Sequence, residues 1–77
     1  MDGRAEALEF HIQKGSPVIG REIKDLPLID NLLICSIYRN GTAMIPNGQD
    51  HMEEDDLVVV VISKKGLHDV KDILKRG

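Results

Sequence analysis

Cysteine is nearly absent from this chain. Cys35 is the sole thiol among 77 residues, so an internal disulfide is excluded and a four-thiolate metal site has no ligands. Such cysteine usage is that of a reducing, cytoplasmic compartment. Aromatic residues are as scarce: tryptophan is missing, and Phe10 and Tyr38 stand alone, which excludes the stacking platforms of single-strand nucleic-acid binders. An excess of positive charge is lacking as well. Ten basic residues face 13 acidic ones, giving a net charge of -3 and a pI near 5.5, the wrong sign for a domain held by phosphate contacts. Nucleic acid is therefore not an expected partner. No run approaches the ~20 apolar residues that span a bilayer. The longest is Leu57 to Ile62, and the opening Met-Asp-Gly-Arg-Ala-Glu has no apolar signal core, so neither export nor direct membrane insertion is expected. A unit this small buries only about 60 to 65% of its unfolded surface, a thin core that oligomerisation would help.

What is present is a regular alternation of apolar segments and turns. Leu8, Phe10 and Ile12 alternate with Glu9, His11 and Gln13 and predict a first strand. Lys14-Gly15 interrupts it. Ser16 stands as an N-cap and Pro17 as a first helical residue, while Val18, Ile19, Ile23 and Leu26 recur at helical spacing, predicting a short helix that ends before Pro27. Leu32 to Arg39 reads as a second strand, Asn40-Gly41 as a type I′ hairpin, and Thr42 to Ile45 as a third strand. An acidic, solvated stretch from Asp50 to Asp56 precedes the β-branched run Leu57 to Ile62, the expected central strand. Lys64-Lys65-Gly66 closes that strand. Leu67, Val70, Ile73 and Leu74, with acidic residues early and Lys75-Arg76 late, predict a second helix whose charges complement its dipole. The expectation is one α+β domain over residues 1–77, in the order β-α-β-β-β-α, with a four-stranded mixed sheet and two helices.

The residues that could carry chemistry form no pattern. His11, His51, His68 and Cys35 include no pair at i, i+3 or i, i+4 on one element, and Cys35 lies in an apolar strand, where thiols are inert packing residues. Asp50, Glu53, Glu54, Asp55 and Asp56 lack the alternating order that converges on a calcium ion. The glycines form neither a dinucleotide fingerprint nor a Walker A loop and read as turns. No catalytic residue and no metal ligand is expected.

The turns are more informative when taken together. Val18-Ile19-Gly20-Arg21-Glu22-Ile23, then Leu32 through Tyr38-Arg39-Asn40-Gly41, then Ile45-Pro46-Asn47-Gly48, Met52 and Asp56-Leu57-Val58-Val59-Val60 resemble the C-terminal regulatory domain of the TrkA family, also called RCK-C. In that family's pattern a glycine opens the first helix, an isoleucine-x-arginine-x-glycine hairpin ends the second strand, a proline-x-glycine turn follows the third, and glycine-aspartate starts the last. The likeness runs from about Ala5 to Leu74. Asp55 departs from it by standing where the family usually has glycine, although Asp tolerates the left-handed region better than most residues. The branch that binds cyclic di-AMP resembles Asp-x-Arg after the helix and Asn leading the second strand. Here Pro27, Ile29 and Leu33 stand nearest, so that ligand is not implied.

The resemblance implies a non-catalytic regulatory module of a potassium uptake system, a fragment of a longer protein in which residues 1–6 are the linker from an upstream Rossmann domain. NAD(H) or ATP/ADP would belong to that upstream domain, and no cofactor to this one. It further implies a cytoplasmic homodimer, held at the inner face of the membrane by a channel subunit, with a small-molecule ligand in the groove between copies. Val18, Ile19, Arg39 and Asn40 are the candidates for that ligand. Val18, Ile19, Leu28 and Ile29, more apolar surface than one short helix and its exit can bury, are the candidates for the dimer interface. Two other readings remain open: a ligand-sensing domain of an anion or dicarboxylate transporter, and a small enzyme assembled between chains from Arg39, Asn40 and His11.

Overall fold

Residues 5–63 and 67–75 are described by a computed structural model of the chain. Four strands form: β1 (Glu6–His11), β2 (Leu32–Arg39), β3 (Thr42–Met44) and β4 (Leu57–Ile62). They make one sheet in the order β1-β4-β2-β3. β4 takes a central place because its six apolar, mostly β-branched residues suit a strand paired on both sides. Leu8 pairs with Val60 on one side and Val60 with Ile34 on the other, and this register carries the apolar alternation of three strands onto the same face. Below that face lies the core, with Ile12, Val18, Leu26, Ile37, Met52, Val58, Val60 and Ile73 buried.

The expected α+β fold with a mixed sheet and two helices is not what forms. Every strand pairing is antiparallel, and the described residues contain no α-helix, only 3-10 turns at Ile23–Asp25 and Val70–Ile73. In the first segment Gly20 adopts φ 84° and breaks the winding three residues after Pro17. Beyond it, the Ile23 N–H donates to the Asp50 carbonyl (2.8 Å) and the Lys24 N–H to the Gly48 carbonyl (2.9 Å). These donors serve the facing loop instead of an i→i-4 ladder. Isolated bridges between Ile19 and Met52 and between Glu22 and His51 bind the same two segments. The second segment is flanked by extended residues at Asp69 (ψ 157°) and Leu74 (ψ 142°). Leu74 bridges Leu28, and the Ile29 N–H donates to the Ile73 carbonyl (2.8 Å). Segments this short gain few internal hydrogen bonds for a costly nucleus, so partners elsewhere in the chain decide their conformation. The helical spacing nevertheless marks the inward residues correctly, since Val18, Leu26, Val70 and Ile73 are buried.

The expected breaks at Lys64-Lys65-Gly66, the basic end at Arg76 and linker residues 1–4 lie outside the described residues. Of the remaining linker stretch, Glu6 already belongs to β1. The hairpin forms as expected, with Asn40 at φ 52° and Gly41 at φ 77°. A Cβ added at Gly41 meets open space, so any penalty for a side chain there is one of backbone conformation alone. Gly41→Val is expected to lower stability by roughly 1 to 2 kcal/mol. Denaturant unfolding checks this, and an unchanged midpoint would show that the turn can adopt another type.

Candidate functional site

The chain's most connected polar group is Arg39, the last residue of β2. Tyr38 pairs with Leu57, and one further step of the register sets Arg39 opposite Asp56. The guanidinium meets the Asp56 carboxylate with both edges, Nε to Oδ1 at 2.9 Å and Nη2 to Oδ2 at 2.8 Å. Nη2 also donates to the His51 carbonyl (2.9 Å), and Nη1 reaches the Glu53 carboxylate at 3.0 Å. Asp56 is only 1% exposed and accepts a further hydrogen bond from the Glu53 N–H (2.8 Å). Burial pushes the Asp56 carboxyl up. The hydrogen bond from Arg39, the Glu53 N–H and the guanidinium charge outweigh burial and hold it below the usual carboxylate range. Reciprocally, the hydrogen bond to Asp56 raises Arg39, against a smaller effect of burial.

This geometry assigns roles that the sequence reading missed. Asp56 and Glu53, read as part of a solvated acidic loop, hold the arginine. Arg39, read as a ligand candidate, has its donors engaged within the chain. The register was the available signal: a hairpin closing at Asn40-Gly41 and a last strand starting at Leu57 bring residues 39 and 56 opposite each other once β2 and β4 are neighbours.

The other sequence candidates are dispersed. Asn40 is an exposed turn residue. Val18 is fully buried, and Ile19 and Leu28 are half-buried against the same core. Ile29 is half-buried beside Ile73, its hydrogen-bond partner. His11 Nε2 lies 3.2 Å from Asp55 and His51 Nε2 lies 3.5 Å from Glu53, both at the surface. His68 is exposed. Cys35, expected to be a packing residue, is half-buried at a bulge where the pairing with β4 shifts between Ile34 and Ser36. Among the described residues no group of three or more His, Cys, Asp or Glu is placed to hold a metal ion. No described helix is long and apolar enough to cross a membrane. A shallow cleft of about 190 Å³ lies where the end of β1 meets the second 3-10 turn, lined by residues of both charges, among them His11, Lys14, Asp69 and Lys71.

The chain belongs to the TrkA-C domain family, whose pattern matches residues 7–75. It is 37% identical over 71 residues to a Trk system potassium uptake protein TrkA homolog of Archaeoglobus fulgidus, covering 92% of this chain and 16% of that protein. It is 33% identical over 60 residues to the Trk system potassium uptake protein TrkA of Azorhizobium caulinodans, covering 78% of this chain and 13% of that one. A more distant likeness, 24% over 72 residues, links it to the K(+)/H(+) antiporter NhaP2 of a Shewanella strain, with 94% of this chain and 12% of the antiporter covered. The chain thus corresponds to a small part of each of these relatives.

Removing Arg39 would leave a buried carboxylate without its counter-charge. Arg39→Ala is therefore expected to destabilise the domain by about 3 kcal/mol, and Arg39→Lys by less, since lysine keeps the charge but cannot bind bidentately. Thermal unfolding of the two variants checks the order. The pair also sets an acid limit. Because the folded carboxyl titrates below its unfolded value of about 3.9, its contribution is fully present above that pH and is lost as pH falls toward the folded value. Melting temperature is expected to fall across this acid window more steeply in the wild type than in Asp56→Asn. Equal slopes would show that Asp56 does not govern the acid transition.

Proposed function

We propose that the chain is a non-catalytic regulatory module of a potassium uptake system. It works in the cytoplasm, pairs with a second copy, and relays the state of a small ligand in the groove between copies to a membrane channel subunit. The observation that carries this reading is the TrkA-C match across residues 7–75. The relatives' names support the ion, since potassium appears in the uptake proteins and in the antiporter alike. NAD(H) or ATP/ADP, in this reading, is bound by a separate domain upstream. The likeness to the antiporter favours a second reading in which the membrane partner is another class of potassium transporter.

The test is a chimera in which this chain replaces the matching segment of the Azorhizobium TrkA, expressed in cells that depend on that protein for potassium uptake. Uptake near the level of the unaltered protein is expected. A chimera that is expressed and folded yet leaves uptake at the level of the deletion would overturn the reading.

A further inference from the structure

Asparagine followed by glycine is the dipeptide most open to spontaneous deamidation, and the chain contains it twice, at Asn40-Gly41 and Asn47-Gly48. The reaction begins when the glycine backbone nitrogen attacks the asparagine Cγ. An N–Cγ bond closes a cyclic imide, the Cγ–Nδ2 bond breaks, and ammonia leaves with the proton shed by the backbone nitrogen. Water then opens either ring C–N bond, giving aspartate or isoaspartate, the latter with one extra methylene in the main chain. Ring closure requires the glycine nitrogen to swing to the same side of the asparagine Cα–C bond as Cβ.

We infer that Asn47 is a deamidation site and that Asn40 is protected from the same reaction by the fold. At the hairpin, Asn40 has φ 52° and Gly41 φ 77°. In such a type I′ turn the first central residue has ψ of about +30°, which sets the next nitrogen nearly anti to Cβ and carries it away from Cγ. Escape from that geometry means opening the hairpin beside Arg39, whose guanidinium is clamped to Asp56. Asn47 is exposed and has no positive φ. Its Oδ1 accepts from the Gln49 N–H at 2.8 Å, so the carboxamide is folded forward over the Gly48 peptide that must attack it. Two bonds restrain the turn, a long one from the Asp50 N–H to the Asn47 carbonyl at 3.1 Å and an exposed one from the Asn47 N–H to Asp50 Oδ2 at 2.7 Å. An exposed turn held in this way opens locally at less cost than a hairpin anchored to the clamp. Glycine at 48 is required by packing, because a Cβ there would stand 3.2 Å from the Lys24 Cβ. The same close approach leaves the attacking nitrogen without a side chain to hinder it. The modification falls where it matters: the Gly48 carbonyl accepts from the Lys24 N–H at 2.9 Å and the Asp50 carbonyl from the Ile23 N–H at 2.8 Å. An extra methylene just before these acceptors shifts them and loosens the segment around Ile23.

The folded chain and the urea-denatured chain are incubated at mildly alkaline pH in heavy-oxygen water, and tandem mass spectrometry follows label entry at each asparagine. In the folded chain Asn47 is expected to convert several-fold faster than Asn40, and in urea the two rates are expected to converge. Equal rates in the folded chain, a faster Asn40, or no conversion of Asn47 while the denatured chain converts would each overturn the assignment. Amide exchange tests the consequence. The isoaspartate form is expected to exchange faster than the unmodified chain at the Ile23 and Lys24 N–H, while Asn47→Asp, which adds the charge without the methylene, is expected to exchange as the wild type does. Unchanged exchange in the isoaspartate form, or equally fast exchange in Asn47→Asp, would overturn the role given to the longer backbone.

Discussion

A single ion pair closes this domain. Arg39 ends β2 and Asp56 precedes β4, so the bidentate contact between them locks the two central strands at the end where the hairpin leaves the sheet. The same guanidinium holds the His51 carbonyl and the Glu53 carboxylate, which fastens the long connection between β3 and β4 against the sheet end. That connection carries Met52 into the core and offers the Gly48 and Asp50 carbonyls to the segment around Ile23. Without the clamp, the loop would lose its anchor and the irregular segment its hydrogen-bond acceptors. Buried ion pairs add little net stability over apolar packing but are strongly destabilising when one partner is lost.

The clamp explains why a hairpin motif containing arginine and a strand start containing aspartate occur together in this sequence. They are two halves of one contact, separated by 17 positions in the chain and opposite each other in the register. Strand positions were legible for a related reason. The period-2 pattern and the Asn40-Gly41 turn are local properties, and β2 and β4 run over the residues their composition predicts. The helices were not legible, because the spacing of Val18, Ile19, Ile23 and Leu26 records only which side chains point inward. An irregular segment bonded to a neighbouring loop satisfies that requirement as well as a helix does. Arg39 was singled out as a ligand candidate and not as a clamp, because its partner Asp56 lay in a stretch whose density of acidic residues read as solvation.

The two faces of the sheet follow from the same economy of size. Among the described residues, the connections that add to the core pack against one face. β4 accordingly alternates between fully buried Val58, Val60 and Ile62 and half-buried Leu57, Val59 and Val61, apolar on both sides. A strand exposed to water on one face would carry polar residues there. An apolar residue at every position of β4 sets this central strand apart from edge strand β1, where Leu8 and Phe10 alternate with Glu9 and His11.

The departure from the family pattern at Asp55 can be traced to the clamp as well. Asp55 adopts φ 72°, a conformation that suits glycine and costs other residues about 1 kcal/mol or more. Its ion pair with His11, exposed on both sides, returns at most part of that, and only when the histidine is protonated. Position 55 is held there from both sides. Its own N–H donates to the Ile12 carbonyl at 2.8 Å, the following N–H of Asp56 donates back to the Glu53 carbonyl at 3.2 Å, and the Asp56 carbonyl accepts from the Ile12 N–H at 2.8 Å. These bonds aim the Asp56 side chain at Arg39, and no extended conformation at residue 55 would satisfy them together. The strain at Asp55 is thus a local consequence of where Asp56 must sit, which is why the backbone keeps the conformation of a glycine turn even though the glycine itself is missing.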